Sequence, residues 1–457
     1  MPNLPSLLHK VKETSSILRE IASKSGHFLI VSKPSADGIT SAAIMARALM
    51  NSGGTFTIKY LDITSKIPAS LKEFSTDHAI LLSLGEDLAR SVSKVLKTKF
   101  SVIDHHSYSG DIEGIIANKF GFKGSSELSS STLSYLIAKE MMEDGKGLLG
   151  LSLAGSLGEH QDVCQKRMLC GLNEEILQEA IDAGFVELKE RPLFPRLSNL
   201  PLHESIALSI DPLIQGLSGD PETVKAVLQK AGIKLTKDGK WKKFEDLSEE
   251  ERVQVIDNIE PYLVIGGRKA GPLIANSYVL VREDEHTPLR EGRDYGYLLE
   301  STMDDPALGT VVALGKRGRE VEKATERMSK FLNKVISTSK SLVFDERRTK
   351  FSEKTVLLMG EGIVDHKIVN AVSYVASRLP TFSSVTTILR TTFGAEGLLV
   401  VRNGYEMNDR KNLYELITNV VKTQNVKIIG HEDYLFIVSS LIKQNTIIRE
   451  LRKAIEA

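Results

Sequence analysis

Cysteine is scarce in this 457-residue chain, which contains two. Cys164 and Cys170 lie in the stretch DVCQKRMLC, so they form no CxxC motif, and no second pair exists to complete a zinc site. This scarcity argues against a disulfide-stabilised secreted domain and against a structural zinc centre. We therefore expect two buried, reduced thiols rather than a redox-active pair.

Long apolar runs and an excess of one charge are also missing. No apolar run reaches the roughly 20 residues of a membrane span, and the start, MPNLPSLLHKVKETSS, lacks a signal peptide's apolar core. The 59 Lys and Arg residues balance the 59 Asp and Glu residues, so bulk charge identifies no partner. These features predict a cytoplasmic protein without a membrane partner, and the length predicts two or three domains.

Short apolar strands alternate with helical segments in the first third of the chain. The predicted strands are HFLIVS (27–32), TFTIKYL (55–61), HAILLSL (78–84) and FSVID (100–104). Near-continuous apolar strands joined by helices are typical of a parallel sheet that is covered on both faces. We therefore predict an α/β fold with a parallel-sheet domain over residues 1–165.

Three of these strands end in polar stretches, SKPSADG, LLSLGED and IDHH. Ligands of parallel sheets bind beyond the carboxyl ends of the strands, so these stretches should converge. Asp104, His105 and His106 are of residue types that bind metals and phosphates. The sequence thus predicts a site at this edge of the sheet.

Four motifs in order resemble those of the DHH phosphoesterase superfamily. They are VSKPSADGITSAA, LLSLGED, VIDHH and AGSLGEHQD, and the later stretches IDPLIQGLSGDPE and TPLREGRDYGYLLES continue the resemblance. Within the superfamily the chain is most similar to the archaeal RecJ-like branch that includes the GINS-associated nuclease. The resemblance spans most of the chain, and it implies an archaeal source.

The metal ligands that the resemblance implies are incomplete. Two Mn²⁺ ions held about 3.5–4 Å apart need several oxygen and imidazole ligands. Where the family has a His and two Asp ligands, this chain has Lys33, Ser35 and Ser83. The pocket residues that remain are Asp37, Asp104, His105, His106, Glu159 (at an Asp position) and the nearby Asp162.

These losses leave several interpretations of the pocket open. Asp37, His105 and Glu159 would form at most a weak metal site. Without metal, Asp104 and the two histidines would close the strand-end loops by hydrogen bonds, which is the interpretation we favour. Alternatively, Lys33, Ser35, Ser83 and the histidines would bind a phosphate without catalysis.

The last part of the chain, from 346 to 457, alternates strands and helices again and resembles the DHH-associated domain. In relatives this domain holds single-stranded nucleic acid through an Arg and a glycine-rich loop. Arg402 matches the Arg, but the loop reads IIGHEDYLF, which keeps Gly430 and His431 of the family pattern. Bulky and acidic residues replace the rest, so we expect strand binding to be impaired.

The middle of the chain, 166–345, is predicted to be a helical insertion followed by a linker helix. Ser248 and Glu251 form a capping box, and the basic segment 316–342 has helical periodicity. No chemical motif lies here, which favours docking to other proteins.

Two functions from different classes follow from the resemblance. The first is an inactive RecJ-like scaffold that binds GINS and the MCM helicase, with single-stranded DNA as a further partner and no cofactor. It would correspond to the degenerate DHH-type subunit of the eukaryotic replicative helicase. The second is a weak Mn²⁺-dependent single-strand exonuclease or phosphodiesterase. Hydrolysis of a small dinucleotide ranks last, because it needs the same lost ligands.

Overall fold

A computed structural model of the chain describes residues 2–265, 267–269, 271–407, 410–421, 424 and 426–457. The first part forms one five-stranded sheet with helices on both faces, which we call the N-terminal domain. Its elements are α1 (Leu4–Ser23), β1 (His27–Ser32), α2 (Ala36–Asn51), β2 (Thr55–Tyr60), β3 (His78–Leu82), α3 (Glu86–Ser93), β4 (Phe100–Asp104), β5 (Ile115–Ile116), α4 (Ser130–Met141) and α5 (Leu149–Gly158).

The N-terminal sheet confirms the predicted parallel arrangement. Its strands run in the order β2-β1-β3-β4-β5, and every neighbouring pair is parallel. β3 is buried along its whole length and β1 at all but its first residue, as near-continuous apolar strands require. The sheet order places the ends of β1, β3 and β4 side by side.

The middle region is helix-rich, as predicted, and it also contains three antiparallel two-stranded ribbons, β6–β11, β7–β8 and β9–β10. Ser248 caps α9, and the Glu251 carboxylate accepts from the Ser248 N–H, so the capping box is confirmed. The elements are α6 (Gly171–Asp182), β6 (Val186–Pro192), α7 (Leu202–Ala207), α8 (Pro221–Lys230), β7 (Thr236–Lys237), β8 (Lys240–Trp241), α9 (Glu249–Ile259), β9 (Val264–Ile265), β10 (Arg268–Lys269), β11 (Ile274–Leu280), α10 (Gly292–Glu300), α11 (Pro306–Ala313) and α12 (Arg319–Val343).

The predicted linker helix is α12, which is 25 residues long and amphipathic. Its apolar face packs against α10 and α11 on one side and against the last domain on the other. Among the residues that the structure describes, no helix is both long and apolar enough to cross a membrane.

The last part forms a six-stranded mixed sheet, which we call the C-terminal domain. The strand order is β12-β13-β14-β15-β17-β16, in which β13 and β14 are parallel and the other neighbours are antiparallel. The elements are β12 (Thr349–Phe351), β13 (Thr355–Met359), α13 (Val369–Arg378), β14 (Thr386–Phe393), β15 (Glu396–Arg402), α14 (Leu413–Val421), β16 (Lys427–Gly430), β17 (Tyr434–Ser440) and α15 (Leu441–Glu456).

Three apolar clusters hold the chain together. The main core is continuous from α1 through the N-terminal sheet and α10–α12 to one face of the C-terminal sheet. A second cluster lies within residues 194–273, and a third fills the other face of the C-terminal sheet beneath α14 and α15. The N-terminal and C-terminal domains therefore share a core, whereas much of the middle region has its own.

The expectation of two reduced thiols is wrong for this structure. Cys164 and Cys170 form a disulfide, with their Cα atoms 6.0 Å apart. The chain between them turns back on itself, because the Cys164 N–H donates to the Met168 carbonyl. This turn brings together two cysteines that no CxxC spacing identifies.

Candidate functional site at the strand ends

The predicted pocket residues on β1, β3 and β4 do converge, because these strands are neighbours in a parallel sheet. Asp37 lies in the first turn of α2, after β1, and its Oδ1 accepts from the backbone N–H of Ser131 at 2.7 Å. Its Oδ2 accepts from the Ser83 hydroxyl at 3.2 Å and lies 3.2 Å from Nδ1 of His105. These side chains are buried, so Asp37 links the start of α4 to the segments that follow β3 and β4.

Asp104 uses both carboxylate oxygens inside the protein. Oδ1 accepts from the N–H of His106 at 2.9 Å and contacts Nδ1 of the same residue at 2.6 Å. Oδ2 accepts from the Gly85 N–H at 2.7 Å and the Tyr108 hydroxyl at 3.0 Å. Burial alone would raise the pKa of Asp104, but the neighbouring His106 lowers it below its ordinary value. Asp104 thus closes the loops after β3 and β4, as the favoured interpretation predicts.

Glu159 follows α5 and completes a buried three-residue group. Ligand atoms of Asp37, His105 and Glu159 all lie within 4.8 Å of one another. Burial favours a neutral carboxyl, but the nearby Lys33, His105 and His106 lower the pKa of Glu159 to about 2. Burial also disfavours a charged His105, yet contact with Asp37 raises its pKa overall. The buried side chains of this group therefore favour one another's charged forms.

Asp162 lies outside this group. Its carboxylate accepts from Nε and Nη2 of Arg167, each at 3.0 Å, and from Nε of Arg293 at 2.7 Å. Two arginines therefore hold Asp162 as a structural acid.

The residues present do not fit a two-manganese centre. Ser83 offers a hydroxyl where a bridging carboxylate is needed, and that hydroxyl already donates to Asp37. Asp104 has both oxygens occupied, and Lys33 contributes a fixed positive charge beside Glu159. One observation points to residual ligand capacity: Nε2 of His105 and Nε2 of His106 are buried and have no hydrogen-bond partner among the residues that the structure describes.

The C-terminal domain covers this pocket with the turn between β16 and β17. The Gly430 carbonyl accepts from the Ser107 N–H at 2.9 Å, and the Ile428 N–H donates to Asp87 at 2.7 Å. Glu432 accepts from the Ser125 N–H at 3.1 Å. The Tyr434 hydroxyl donates to Glu159 at 3.1 Å. Contacts on several sides therefore seal the strand-end loops from solvent.

The predicted strand-binding residues meet beside this turn, but all are buried. Arg402 is 9% exposed, its guanidinium lies 4.1 Å from the Tyr434 ring centroid, and Nη2 donates to Asn370 at 2.7 Å. Burial, followed by the charge of His105 and His106, holds the pKa of His431 well below its ordinary value. A side chain at Gly430 would collide with the Tyr434 carbonyl. In this closed arrangement, none of the three faces solvent as an open groove would require.

Sequence reasoning missed two features of the site. Glu300 lies in the LLES stretch, and its carboxylate accepts from the Ala36 N–H at 2.9 Å at the start of α2. Burial and the charge of Glu159 raise the pKa of Glu300 to about 7. The second feature is a buried ionic junction of the N-terminal domain, the middle region and the C-terminal domain, formed by Asp162, Arg167, Asp211, Arg293, Tyr374 and Arg378. No local pattern identifies such long-range pairs.

Comparison with known proteins gives one partial family match and one partial relative. The family model of the DHH-CID domain matches residues 197–271. An uncharacterized protein of Methanocaldococcus jannaschii is 24% identical over 234 residues, which is 48% of this chain and 52% of that protein. The match therefore spans about half the length of this curated relative.

Two solved structures share the fold over nearly the whole chain. CDC45 from Entamoeba histolytica aligns with a TM-score of 0.61 at 13% identity, covering 98% of this chain and 99% of that one. RecJ from Thermus thermophilus, solved in complex with Mn²⁺, aligns with a TM-score of 0.56 at 11% identity, covering 98% of this chain and 55% of that one. At these identities the similarity establishes the fold.

Proposed function

We propose that this chain, whose fold is that of the RecJ-like proteins of the DHH superfamily and resembles that of CDC45, is a non-catalytic scaffold. In this proposal it acts in the cytoplasm within a replicative helicase assembly and binds GINS and MCM. The observation that carries the proposal is the composition of the strand-end pocket. Ser83 and Lys33 stand where metal chemistry needs a carboxylate and an imidazole, and Glu159 bonds to Tyr434 of the covering turn.

The turn between β16 and β17, which covers the pocket, also argues against catalysis on a polymer substrate. A single strand would have to pass between the N-terminal and C-terminal domains to reach His105. Ser107, Asp87 and Ser125 bond to the turn there, and the two domains share one apolar core. Binding of single-stranded DNA to Arg402, Gly430 and His431 would therefore require the two domains to separate.

Two surfaces suit protein partners. The outer edge of β2 is available for a partner strand, since among the described residues β2 pairs with β1 alone. The opposite edge strand, β5, is two buried residues. The unit with its own core, residues 194–273, matches the DHH-CID family and projects a separate surface. We assign GINS to the first surface and MCM to the second.

A weak Mn²⁺-dependent exonuclease is the second candidate. The group Asp37, His105 and Glu159 favours it, together with the unpartnered Nε2 atoms of His105 and His106. This group would hold one cation at most, with the charge of Lys33 opposing it. The scaffold is the better supported function, because a single weakly held cation lacks the two-ion clamp of this chemistry.

One experiment separates the two functions. The purified full-length chain is assayed for bound manganese by mass spectrometry and for nucleotide release from single-stranded DNA and RNA in Mn²⁺. Its co-elution with GINS at micromolar concentration is measured in parallel. We expect no stoichiometric manganese, no nucleotide release and a stable complex.

Digestion that requires Mn²⁺ and disappears in His105→Ala would instead establish the nuclease. His9→Ala is the matched control, because His9 is exposed on α1, outside the pocket. A failure to co-elute with GINS would contradict the proposed role in replication, and only the assignment of the fold would remain.

A further inference from the structure

The Cys164–Cys170 disulfide closes a tight turn with unusual backbone geometry. Within the turn, the Cys164 N–H donates to Met168 O at 3.0 Å and the Arg167 N–H donates to Cys164 O at 3.0 Å. Lys166 and Arg167 have φ values of +52° and +61°, in the left-handed region that residues with a Cβ seldom adopt. Two such residues in succession need an external constraint, and the disulfide supplies one.

This turn presents Arg167 to a junction of three parts of the molecule. The Arg167 side chain is buried and pairs with Asp162, which follows α5, and with Asp211 of the middle region at 2.9 Å. Nη1 donates to the Tyr374 hydroxyl of α13 at 3.1 Å. One guanidinium therefore links the N-terminal domain, the middle region and the C-terminal domain.

Both carboxylates of the junction have a second arginine. Arg293 donates to Asp162, and Nε of Arg378 donates to Asp211 at 2.7 Å. The Tyr374 hydroxyl also donates to Asp211. Displacement of Arg167 would therefore weaken the junction without leaving either acid unpaired, so the folded chain can exist in both conditions.

The disulfide is placed for exchange with a thiol. Cys164 is exposed, whereas Cys170 is 8% exposed and is the N-cap residue of α6, a helix of 12 residues. No side-chain hydrogen bond caps this helix, and a helix N-terminus stabilises a thiolate released there. Attack on Sγ of Cys164, the exposed residue of the pair, thus expels a favourable leaving group.

We propose that Cys164–Cys170 is a reversible redox site for dithiol reductants, and that its state governs how firmly the C-terminal domain closes over the strand-end pocket. A thiolate of the reductant attacks Sγ of Cys164, the S–S bond breaks, and Sγ of Cys170 leaves as a thiolate that takes a proton. The second thiol of the reductant then displaces Cys164 as a thiol. Two electrons and two protons pass to the protein, and the reductant becomes a disulfide.

Reduction removes one constraint on the left-handed turn. The bonds from the Tyr278 hydroxyl to Arg167 O and from the Asn276 amide to Lys166 O remain, so Arg167 stays at the junction but is held less firmly. The contacts that β16 and the β16–β17 turn make with Ser107, Asp87 and Ser125 then hold the two domains together with less help from the junction. The reduced protein should open more often between its domains. This inference goes beyond the scaffold role and does not depend on the identity of any partner.

Hydrogen–deuterium exchange of the full-length chain, oxidised and after dithiothreitol, tests the proposal. We expect exchange at residues 427–434 and 369–378 to rise about threefold or more on reduction and to reverse on reoxidation. Exchange of α8, which lies in the separately packed unit, should not change. The Cys164→Ser/Cys170→Ser variant should match the reduced protein with or without dithiothreitol. Oxidised Arg167→Lys should show raised exchange that reduction does not increase further.

Two results would overturn the proposed control of domain closure, and a third would overturn its reversibility. One is a disulfide that dithiothreitol does not reduce in the folded protein, shown by alkylation and intact mass. The other is reduction that raises exchange within 164–170 alone, because the disulfide would then brace its own turn and nothing more. Reduced thiols that fail to reoxidise in the folded chain would equally contradict reversibility.

Discussion

Ser83 occupies the position where a two-metal pocket needs a bridging carboxylate, and its hydroxyl bonds to Asp37 in a fully buried setting. Its φ is +54°, a conformation that Asp and Asn tolerate better than most residues. The backbone therefore accepts a carboxylate at this position, but the electrostatic environment does not. A second acid beside Asp37 would need a cation between them.

The Ser83→Asp change should therefore destabilise the metal-free protein relative to the neutral Ser83→Asn, by about 3 kcal/mol in urea unfolding at pH 8. With Lys33→His, Ser35→Asp and Glu159→Asp added, Mn²⁺ should stabilise the protein by mass action, by about 2.7 kcal/mol at a hundredfold excess over the dissociation constant. The same three changes combined with Ser83→Asn serve as the control. Absence of any Mn²⁺ effect on the four-residue variant would show that the four motifs are misaligned.

Glu300 gives a pH dependence whose sign can be worked out. Its pKa is raised from 4.5 to about 7, so the folded state binds the proton more tightly than the unfolded state. The associated stability is fully present below about pH 4.5 and is lost as the pH rises through 7. Glu300→Gln keeps an oxygen that can accept from the Ala36 N–H and removes the titration.

We expect the free energy of unfolding of the wild type, minus that of Glu300→Gln, to fall steadily between pH 4.5 and 7. Urea titrations at intervals of half a pH unit measure this difference. The corresponding difference for Glu285→Gln, at an exposed carboxylate, should not change with pH. A flat curve for both variants would mean that Glu300 titrates normally.

Among the secondary-structure elements, β2 offers an open edge whose hydrogen-bonding groups can be assigned. The Thr55 N–H donates to Gly26 O and the Leu61 N–H donates to Ser32 O, so alternate residues face β1. The N–H groups of Phe56, Ile58 and Tyr60 therefore face away from the sheet. A partner strand that adds to this edge would use them.

Ile58→Pro should weaken GINS binding by about 1 kcal/mol, or roughly fivefold, relative to Ile58→Ala, because it removes one donor. The Ala variant loses similar packing but keeps its N–H, so it is the matched control. Calorimetric titration of GINS into each variant gives the two affinities. Equal affinities would place the GINS surface elsewhere.

The elements also show what sequence could predict and what it could not. Strands such as β1 and β3 were predicted closely because buried parallel strands are continuous apolar runs between turn residues. The convergence of Asp37, Ser83 and His105 followed from sheet topology. The closure of the pocket by Tyr434 did not follow, since contacts between residues 275 positions apart leave no local pattern. The disulfide was missed for a different reason, because its two cysteines, six residues apart, meet through a left-handed turn at Lys166 and Arg167 that their spacing does not indicate.

On the scale of the whole molecule, the shared core limits how the chain can be dissected. The main apolar cluster crosses residues 165 and 345, so the division at these positions stays a prediction. A fragment ending at residue 165 would expose the faces of α2 and α5 that α10 covers. Substitutions on the surface of the intact chain are therefore the sounder way to separate one partner from another.

The groove between the β6–β11 ribbon and α9 lies at the border of the unit 194–273 that we assign to MCM, and we expect MCM to contact that unit there. Its volume is about 970 Å³, and Val253 and Ile274, which are 58% and 38% exposed, lie in its wall. Exposed apolar groups in a concave surface are typical of protein contacts. We expect Val253→Glu with Ile274→Glu to weaken MCM association at least tenfold, since two charges would be buried without partners, and to leave GINS binding unchanged.

Ile442→Glu is the matched control, because Ile442 is 92% exposed on the C-terminal domain and lies outside the groove. Size-exclusion chromatography of each variant with MCM and with GINS separately gives the readout, and circular dichroism checks the fold. Unchanged MCM association in the double variant would exclude the groove. Selective loss of MCM would place the two partners on different parts of one chain, because GINS binding at the β2 edge would persist. That division is what a scaffold requires, since it must hold both partners at once.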